Sequence, residues 1–125
     1  MALILVIDDS LYMRGKICSI LKLDGHKIIE ADNGLQGLQA ASANSPDCIL
    51  LDIIMPGLDG LKIIKSLRDQ RVDTPMIVVT ADIQESTRKQ CMELGASAVI
   101  NKPPNEEELR RTINAILADK KETGR

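Results

Sequence analysis

The stretch "LVIDDS", residues 5–10, leads from three apolar side chains directly into two adjacent carboxylates, Asp8 and Asp9. A short apolar run of this kind is typical of a strand that is covered on both faces, as in a parallel sheet. Two like charges at the end of such a strand repel each other unless a cation lies among them. The stretch therefore predicts a buried strand and, at its carboxyl end, a place for positive charge.

Four more segments have the composition of short strands, and segments with helical spacing lie between them. With the first, the predicted strands are Leu3–Ile7, Lys27–Glu30, Asp47–Leu51, Pro75–Thr80 and Ala98–Ile100. The apolar stripes that indicate helices are Met13, Ile17, Ile20 and Leu21, then Leu61, Ile64 and Leu67, then Leu109, Ile113, Ile116 and Leu117. Five strands alternating with five helices through short connections predict a doubly wound α/β domain, a mostly parallel five-stranded sheet with helices on both faces.

The length and charge of the chain indicate how many domains it has and which partners it can bind. The 125 residues are enough for one domain, which we place at 1–120, followed by a polar C-terminal tail at 121–125. Sixteen basic residues against eighteen acidic ones, a net charge of -2, argue against nucleic acid as a partner. We find no signal sequence and no apolar run long enough for membrane insertion, so we expect a cytoplasmic protein.

We expect neither the cysteines nor the histidine to have a functional role. Cys18, Cys48 and Cys91 are odd in number, widely spaced and set in apolar or helical segments, which fits reduced structural thiols. His26 follows Asp24 and Gly25 in a turn, so we expect a solvated loop side chain.

Polar residues follow four of the predicted strands. Asp8 and Asp9 come after the first strand and Asp52 after the third, while Thr80 ends the fourth and Lys102 follows the fifth. In an open parallel sheet, ligands bind beyond the carboxyl ends of the strands. Oxygen ligands without Cys or His favour a hard ion, and few carboxylates with room for water and phosphate oxygens favour Mg²⁺ over Ca²⁺.

Each of these residues also has an ordinary structural explanation. Asp9 or Ser10 could cap the first helix, Asp52 could be a loop acid, Thr80 could fill a strand position and Lys102 could be a surface charge. For each residue considered alone, the structural role is the better explanation. The placement of all five at four strand ends instead indicates a binding site.

Four motifs resemble the receiver domains of bacterial two-component response regulators. They are "VIDDS" (6–10), "LLDIIMPGLDG" (50–60), "VVTA" (78–81) and "NKP" (101–103), and their order and spacing match that family along nearly the whole chain. The resemblance implies a flavodoxin-like fold with strand order 2-1-3-4-5.

The resemblance also implies a phosphoacceptor and a metal site. Asp52 would accept the phosphoryl group from a phosphohistidine of a sensor histidine kinase or a phosphotransfer protein. Asp9 and Asp52 would bind Mg²⁺ directly, Asp8 would act mainly through a bound water, and the backbone carbonyl of Ile54 would supply a further ligand. A carboxylate is a competent nucleophile once a metal offsets phosphate repulsion.

By the same resemblance, three residues would hold the phosphoryl group. The Thr80 hydroxyl would donate to one phosphoryl oxygen, and Lys102 would pair with another. Ala81 is small where bulk would close access, and it would bind phosphate through its backbone. Positioning and charge neutralisation of this kind are most of what phosphoryl transfer requires from a protein. The Lys102-Pro103 bond resembles a peptide bond that is cis in the family.

The sequence also departs from the family pattern. Val99 stands where many members carry an aromatic side chain whose rotamer reports phosphorylation, and Pro104 follows where an aromatic is common. Ile54 and Asp82 occupy variable positions that influence how long the phosphate survives. Because Val99 is short and β-branched, we expect the change on phosphorylation to lie mainly in residues 81–90, the loop after Thr80 and the start of the fourth helix.

We therefore predict a stand-alone switch that catalyses its own phosphorylation and dephosphorylation and acts on a downstream target protein, as a monomer or a phosphorylation-dependent dimer. A chemotaxis-type regulator and an intermediate carrier in a phosphorelay both fit. An aspartate-nucleophile phosphatase would carry an Asp-x-Asp pair, whereas Asp8 and Asp9 are adjacent. A flavodoxin-like electron carrier would need a Ser/Thr/Gly-rich phosphate loop and aromatics to stack the flavin, but Tyr12 is the sole aromatic.

Overall fold

Five strands alternate with five helices over residues 2–122, the part of the chain that the computed structural model describes. The strands are β1 (Leu3–Ile7), β2 (Lys27–Ala31), β3 (Cys48–Leu51), β4 (Met76–Thr80) and β5 (Ala98–Asn101), and the helices are α1 (Leu11–Leu23), α2 (Gly34–Asn44), α3 (Gly60–Asp69), α4 (Glu85–Leu94) and α5 (Glu106–Glu122). Neighbouring strands run parallel in the order β2-β1-β3-β4-β5. The predicted doubly wound sheet is confirmed, and β2 to β5 each have one end displaced by one residue from the prediction.

Each face of the sheet has its own core, because successive residues of a strand point to opposite sides. On one face, Leu5 and Ile7 pack with α2, α3 and α4, and on the other, Ile4 and Val6 pack with α1 and α5. The central strands β3 and β4 are buried throughout and β1 nearly so, whereas the outer strands β2 and β5 expose residues. Burial on both faces explains why the three central strands are continuous apolar runs.

Polar side chains determine where the first three helices begin. Ser10 Oγ accepts the Met13 N–H at 3.2 Å, and Asn33 and Asp59 cap α2 and α3 in the same way. Such caps satisfy an amide that the first turn of a helix leaves unpaired. Of the two caps considered for α1, the structure uses Ser10 and not Asp9.

The end of the chain overlaps the predicted tail. Helix α5 continues to Glu122, so the first two residues of the tail at 121–125 are helical, and residues 123–125 lie outside the described part of the chain. The division into a domain at 1–120 and a tail stays a prediction. Among the described residues, no helix is both long and apolar enough to cross a bilayer.

The cysteines behave as expected, and the histidine does not. All three cysteines are buried free thiols, and burial raises the pKa of Cys18 to about 11, so its unreactive thiol form dominates near neutral pH. His26 is half-buried, and its Nδ1 accepts the Ala2 N–H at 3.3 Å. The expectation of a solvated side chain is wrong because Lys27 N–H donates to the Ala2 carbonyl and brings the turn onto the start of β1.

Helix α3 begins in contact with the backbone that carries Asp52. A methyl group on Gly60 would meet the Asp52 carbonyl oxygen and would lie 2.5 Å from the Ile53 Cα. The Gly60 N–H also donates to the Ile53 carbonyl at 3.2 Å. Only glycine allows this close approach, so residue 60 determines how tightly α3 closes on the loop after β3.

Gly60→Ala should therefore destabilise the protein by about 1–3 kcal/mol, because the added methyl group overpacks this contact. Gly15→Ala is the matched control, since Gly15 lies exposed within α1 with nothing within 4 Å of the new methyl group. It should stabilise the protein by about 0.5–1 kcal/mol through helix propensity. Urea unfolding followed by circular dichroism measures both. Equal stability of the two variants would contradict the close approach.

Candidate functional site

Four strand ends place five polar side chains at one edge of the sheet. The paired ends of β1 and β3 bring Asp8 and Asp52 out of the sheet side by side, with Asp9 next along the chain. The paired ends of β4 and β5 bring Thr80 opposite the residue that precedes Lys102. Because all four strands are parallel, these residues meet at the same edge, as the sequence predicts.

Lys102 joins the two buried carboxylates. Its Nζ lies 2.8 Å from Asp8 Oδ2 and 2.8 Å from Asp52 Oδ2. Burial alone would lower the pKa of the Lys102 ammonium, but the hydrogen bonds to Asp52 and Asp8 outweigh burial, so the pKa is raised. Because the folded state raises the pKa of Lys102, the charged lysine stabilises the fold. This contribution is complete below pH 10.5, the pKa in the unfolded chain, and is lost as the pH rises through the pKa in the folded protein.

Backbone amides hold the other oxygen of each carboxylate. Asp8 Oδ1 accepts the Ser10 N–H at 2.9 Å, and Asp52 Oδ1 accepts the Ile54 N–H at 3.0 Å. Each buried acid is thus fixed at both oxygens, one by an amide and one by the ammonium. Ile54 itself is 58% exposed and contacts Asp52 through its N–H.

The acids form a group that can hold a metal ion. Asp8, Asp9 and Asp52 each offer a carboxylate oxygen, and the three atoms lie within 4.8 Å of one another. Asp8 and Asp52 are buried, whereas Asp9 is exposed. Oxygen donors with one solvent-facing side suit Mg²⁺, which keeps several of its own waters. The residues present therefore fit this ion.

Thr80 ends β4 at the same edge of the sheet and has no exposed surface. Its Oγ1 accepts the Asp82 N–H at 3.2 Å. A hydroxyl that accepts one bond still has its own proton to donate, so Thr80 can serve an oxygen that arrives at this edge. Ala81 follows it and is exposed, and its methyl group leaves the approach open.

Arg14 is a site residue that the sequence reasoning missed. Its Nη1 donates to the Asp8 carbonyl at 2.6 Å, and its Nε pairs with Glu30 at 2.9 Å. The guanidinium therefore ties the end of β1 to β2. A signal was available, because Arg14 lies four residues after the cap Ser10 and so on the helix face that returns toward the strand end.

The peptide bond after Lys102 has the conformation that the family resemblance implies. The Lys102-Pro103 peptide bond is cis, as expected. Val99 is partly buried against the core, and its carbonyl accepts a hydrogen bond from Arg88 of α4 at 3.2 Å. Pro104 is buried.

A parallel 2-1-3-4-5 sheet with acids, a hydroxyl and an ammonium at one edge defines a class of signalling domain. Residues 4–114 match the model of the response regulator receiver domain, and the chain belongs to that family. Receiver domains are signalling switches that interact with histidine kinases and downstream targets, and the family is generally Mg-dependent.

Individual relatives place the chain more closely within the family. Protein PilH of Pseudomonas aeruginosa is 39% identical over 120 residues, which cover 94% of this chain and 99% of that protein. The alkaline phosphatase synthesis transcriptional regulatory protein PhoP of Bacillus subtilis is 34% identical, with 91% of this chain and 48% of PhoP covered. The chain thus spans nearly all of one relative and about half of the other.

Solved structures agree with this placement. The receiver domain of the Francisella response regulator 1452 has a TM-score of 0.92 and 27% identity, covering 96% of this chain and 99% of that one. The chemotaxis protein CheY4 of Vibrio cholerae has a TM-score of 0.87 and 28% identity, covering 93% and 98%. The chain is therefore similar to receiver domains in both sequence and fold.

Replacing the bridging ammonium should be costly. In metal-free buffer at neutral pH, Lys102→Gln should destabilise the protein by about 3 kcal/mol, because it leaves two buried carboxylates without their counter-charge. The matched control is Lys65→Gln, since Lys65 pairs with Asp69 at 3.0 Å where both side chains are 65% exposed. That change should cost less than about 1 kcal/mol.

The comparison is made by urea unfolding, with Asp52→Asn added to each lysine variant. Removing one of the two charges should recover much of the loss in Lys102→Gln and little in Lys65→Gln. An equal loss in the two single variants would contradict the role of Lys102.

Proposed function

We propose that the chain is a phosphorylation-controlled switch in which Asp52 accepts a phosphoryl group from a phosphohistidine in a Mg-dependent reaction and thereby changes its protein contacts. The observation that carries this proposal is the position of the Lys102 ammonium, 2.8 Å from both Asp8 and Asp52, beside the three grouped carboxylates. A nucleophile, a cation and a cluster of metal ligands in one place are the parts that phosphoryl transfer needs.

Asp52 supplies the nucleophile. One of its oxygens attacks phosphorus, the new O–P bond forms as the P–N bond to histidine breaks, and the imidazole leaves with the electron pair. The Ile54 N–H already holds Oδ1 of Asp52 at 3.0 Å, so the carboxylate has a fixed orientation before the donor arrives. A fixed orientation removes part of the entropic cost of the reaction.

Three groups would then hold the transferred phosphoryl group. Lys102 would exchange its bond to Asp52 for one to a phosphoryl oxygen, because the new acyl oxygen no longer carries a full charge. The Thr80 hydroxyl would donate its proton to a second oxygen, and the Ala81 backbone would contact the group from the open side. Donors already in position stabilise the developing charge without reorganisation.

Asp8, Asp9 and Asp52 would hold Mg²⁺, with the Ile54 carbonyl as a further ligand. Bound there, the ion would supply positive charge against the phosphoryl oxygens. Asp9 faces solvent and Asp8 is buried, and direct binding by Asp9 with binding through water by Asp8 stays a prediction.

The surface around the acids suits a protein as the phosphodonor. Leu11, Tyr12, Ile54 and Ile83 lie in the segments that follow β1, β3 and β4, and their exposed fractions are 75%, 75%, 58% and 77%. Exposed apolar side chains grouped near a site are typical of protein contacts. A sensor histidine kinase or a phosphotransfer protein is therefore the proposed donor, and the output is proposed to be contact with a target protein.

The likeness to Protein PilH and to a chemotaxis protein supports a chemotaxis-type switch. The alternative is an intermediate carrier in a phosphorelay, which would pass its phosphoryl group to a histidine of a second protein. The cytoplasmic location, the absence of nucleic acid as a partner and the monomeric or phosphorylation-dependent dimeric state stay predictions.

Incubation with a small acyl-phosphate donor and Mg²⁺ should add one phosphoryl group to the wild-type chain, as measured by intact mass. Asp52→Asn should abolish the addition, because the amide is not a nucleophile for phosphorus at neutral pH. Asp59→Asn is the control, since Asp59 lies in the same loop and asparagine caps a helix equally well. It should leave the addition unchanged. Persistence of the mass shift in Asp52→Asn would reject the assignment.

Mg²⁺ should raise the melting temperature, because an ion that binds only the folded state adds about 2.7 kcal/mol of stability at a hundredfold excess over Kd. Asp9→Ala should remove most of the rise with little effect on the metal-free protein, since Asp9 is exposed. Asp32→Ala, an exposed acid at the end of β2, should keep the full rise. Calorimetry provides the measurement, and an unchanged Mg²⁺ response in Asp9→Ala would exclude Asp9 as a ligand.

A further inference from the structure

A chain of hydrogen bonds leads from the candidate site into helix α4. The buried Thr80 Oγ1 accepts the Asp82 N–H at 3.2 Å. The Asp82 carboxylate in turn accepts the Gln84 N–H at 2.9 Å on Oδ1 and the Thr87 hydroxyl at 2.9 Å on Oδ2. Two side chains and one peptide group therefore connect Thr80 to the first turn of the helix.

Asp82 takes over a task that the N-cap residue of α4 does not perform. Gln84 makes no side-chain capping bond, whereas Ser10, Asn33 and Asp59 all cap their helices. The start of α4 thus depends on a carboxylate two residues before the cap. Because that residue is also bonded to Thr80, the position of the Thr80 hydroxyl and the position of the first turn are linked.

The two ends of α4 are held differently. At its carboxyl end, Cys91 is fully buried, and Arg68 donates to the Gly95 carbonyl at 2.7 Å and to the Val72 and Thr74 carbonyls at 2.7 and 3.0 Å. At its amino end, residues 83–86 are exposed. The first turn is therefore bonded to Thr80 through Asp82, and the last turn is held by separate contacts.

We propose that Asp82 is a positioning residue that couples the Thr80 hydroxyl to the first turn of α4. When Thr80 turns to donate its proton to an oxygen bound at Asp52, the Asp82 peptide group follows, and the carboxylate carries Thr87 with it. The inference rests on the proposed function, because it needs an oxygen ligand at Asp52. This coupling would transmit phosphorylation of Asp52 to α4 without an aromatic side chain at position 99.

The coupling reaches a surface through Arg88. This residue follows Thr87 and donates to the Val99 carbonyl at 3.2 Å, so movement of the first turn changes how α4 is bonded to β5. A ligand can shift such an element only by binding its two arrangements with different affinity. A bound phosphoryl oxygen would favour one arrangement of the first turn over the other because it accepts a hydrogen bond from the Thr80 hydroxyl.

The test uses beryllofluoride with Mg²⁺ as a phosphate mimic and compares hydrogen exchange in residues 81–90 with and without it. Thr87→Val keeps the shape and β-branching of the side chain but removes the hydroxyl. Thr87→Ser keeps the hydroxyl, and Ser86→Ala removes an exposed hydroxyl from the same turn. Bound beryllofluoride is followed separately by its fluorine NMR signal.

Wild type, Thr87→Ser and Ser86→Ala should show the same mimic-dependent change in exchange. In Thr87→Val that change should be about fivefold smaller, the low end of the range for coupled sites, while the bound fluorine signal remains. A merely structural role would alter exchange equally with and without the mimic. Asp82→Ala, which removes both acceptor oxygens, should reproduce the loss if Thr87→Val does not fold.

Two results would overturn the proposal, and they are distinguishable. A full mimic-dependent change in Thr87→Val and in Asp82→Ala, with the fluorine signal present, would reject the coupling and leave the proposed function intact. No bound fluorine signal in the wild-type protein would reject the proposed function and the coupling together.

Discussion

Two buried carboxylates on neighbouring strands lie close together here because one ammonium bridges them. Asp8 and Asp52 are 2% and 6% exposed, and the desolvation of such charges costs several kcal/mol unless they are paired. Lys102, the residue after β5, provides that pairing from the far side of β4. The parallel direction of β1, β3 and β5 meets the same requirement, since it brings their carboxyl ends to one edge of the sheet. In the proposed reaction the same ammonium would transfer its bond from Asp52 to a phosphoryl oxygen.

The rest of the edge is arranged around these charges. Ser10 and Ile54 donate backbone N–H groups to the carboxylates, and Arg14 fixes the peptide group of Asp8. Gly60 allows α3 to close on the loop after Asp52. These contacts fix the carboxylates at both oxygens, whereas the first turn of α4 is bonded to the rest of the structure through the Asp82 carboxylate and the Arg88 side chain. A site bonded to one end of a helix allows a small local change to shift a larger element.

Much of the fold can be predicted from the sequence, because the three central strands are apolar on both faces. Ser10 and Asn33 also mark the starts of helices, and Gly95 marks the end of one. The placement of Asp8, Asp9, Asp52, Thr80 and Lys102 at one edge follows from the parallel order of the strands. The bridge that Lys102 makes to two acids at once does not follow, because it joins segments far apart in the sequence. The Arg14 and Asp82 contacts do not follow either, because they depend on side-chain direction. Local pattern was also insufficient for Ile63, which is fully buried although the predicted stripe on α3 omits it, and for His26.

The proposal that Asp52 carries the phosphoryl group is tested most directly by borohydride trapping of the wild-type chain. Borohydride reduces an aspartyl phosphate to homoserine and so marks the modified residue permanently. After treatment with an acyl-phosphate donor and Mg²⁺ followed by reduction, peptide mapping by mass spectrometry should find homoserine at position 52 and aspartate at positions 8 and 9. Homoserine at position 8 or 9, or unmodified aspartate at all three positions, would contradict the proposed site.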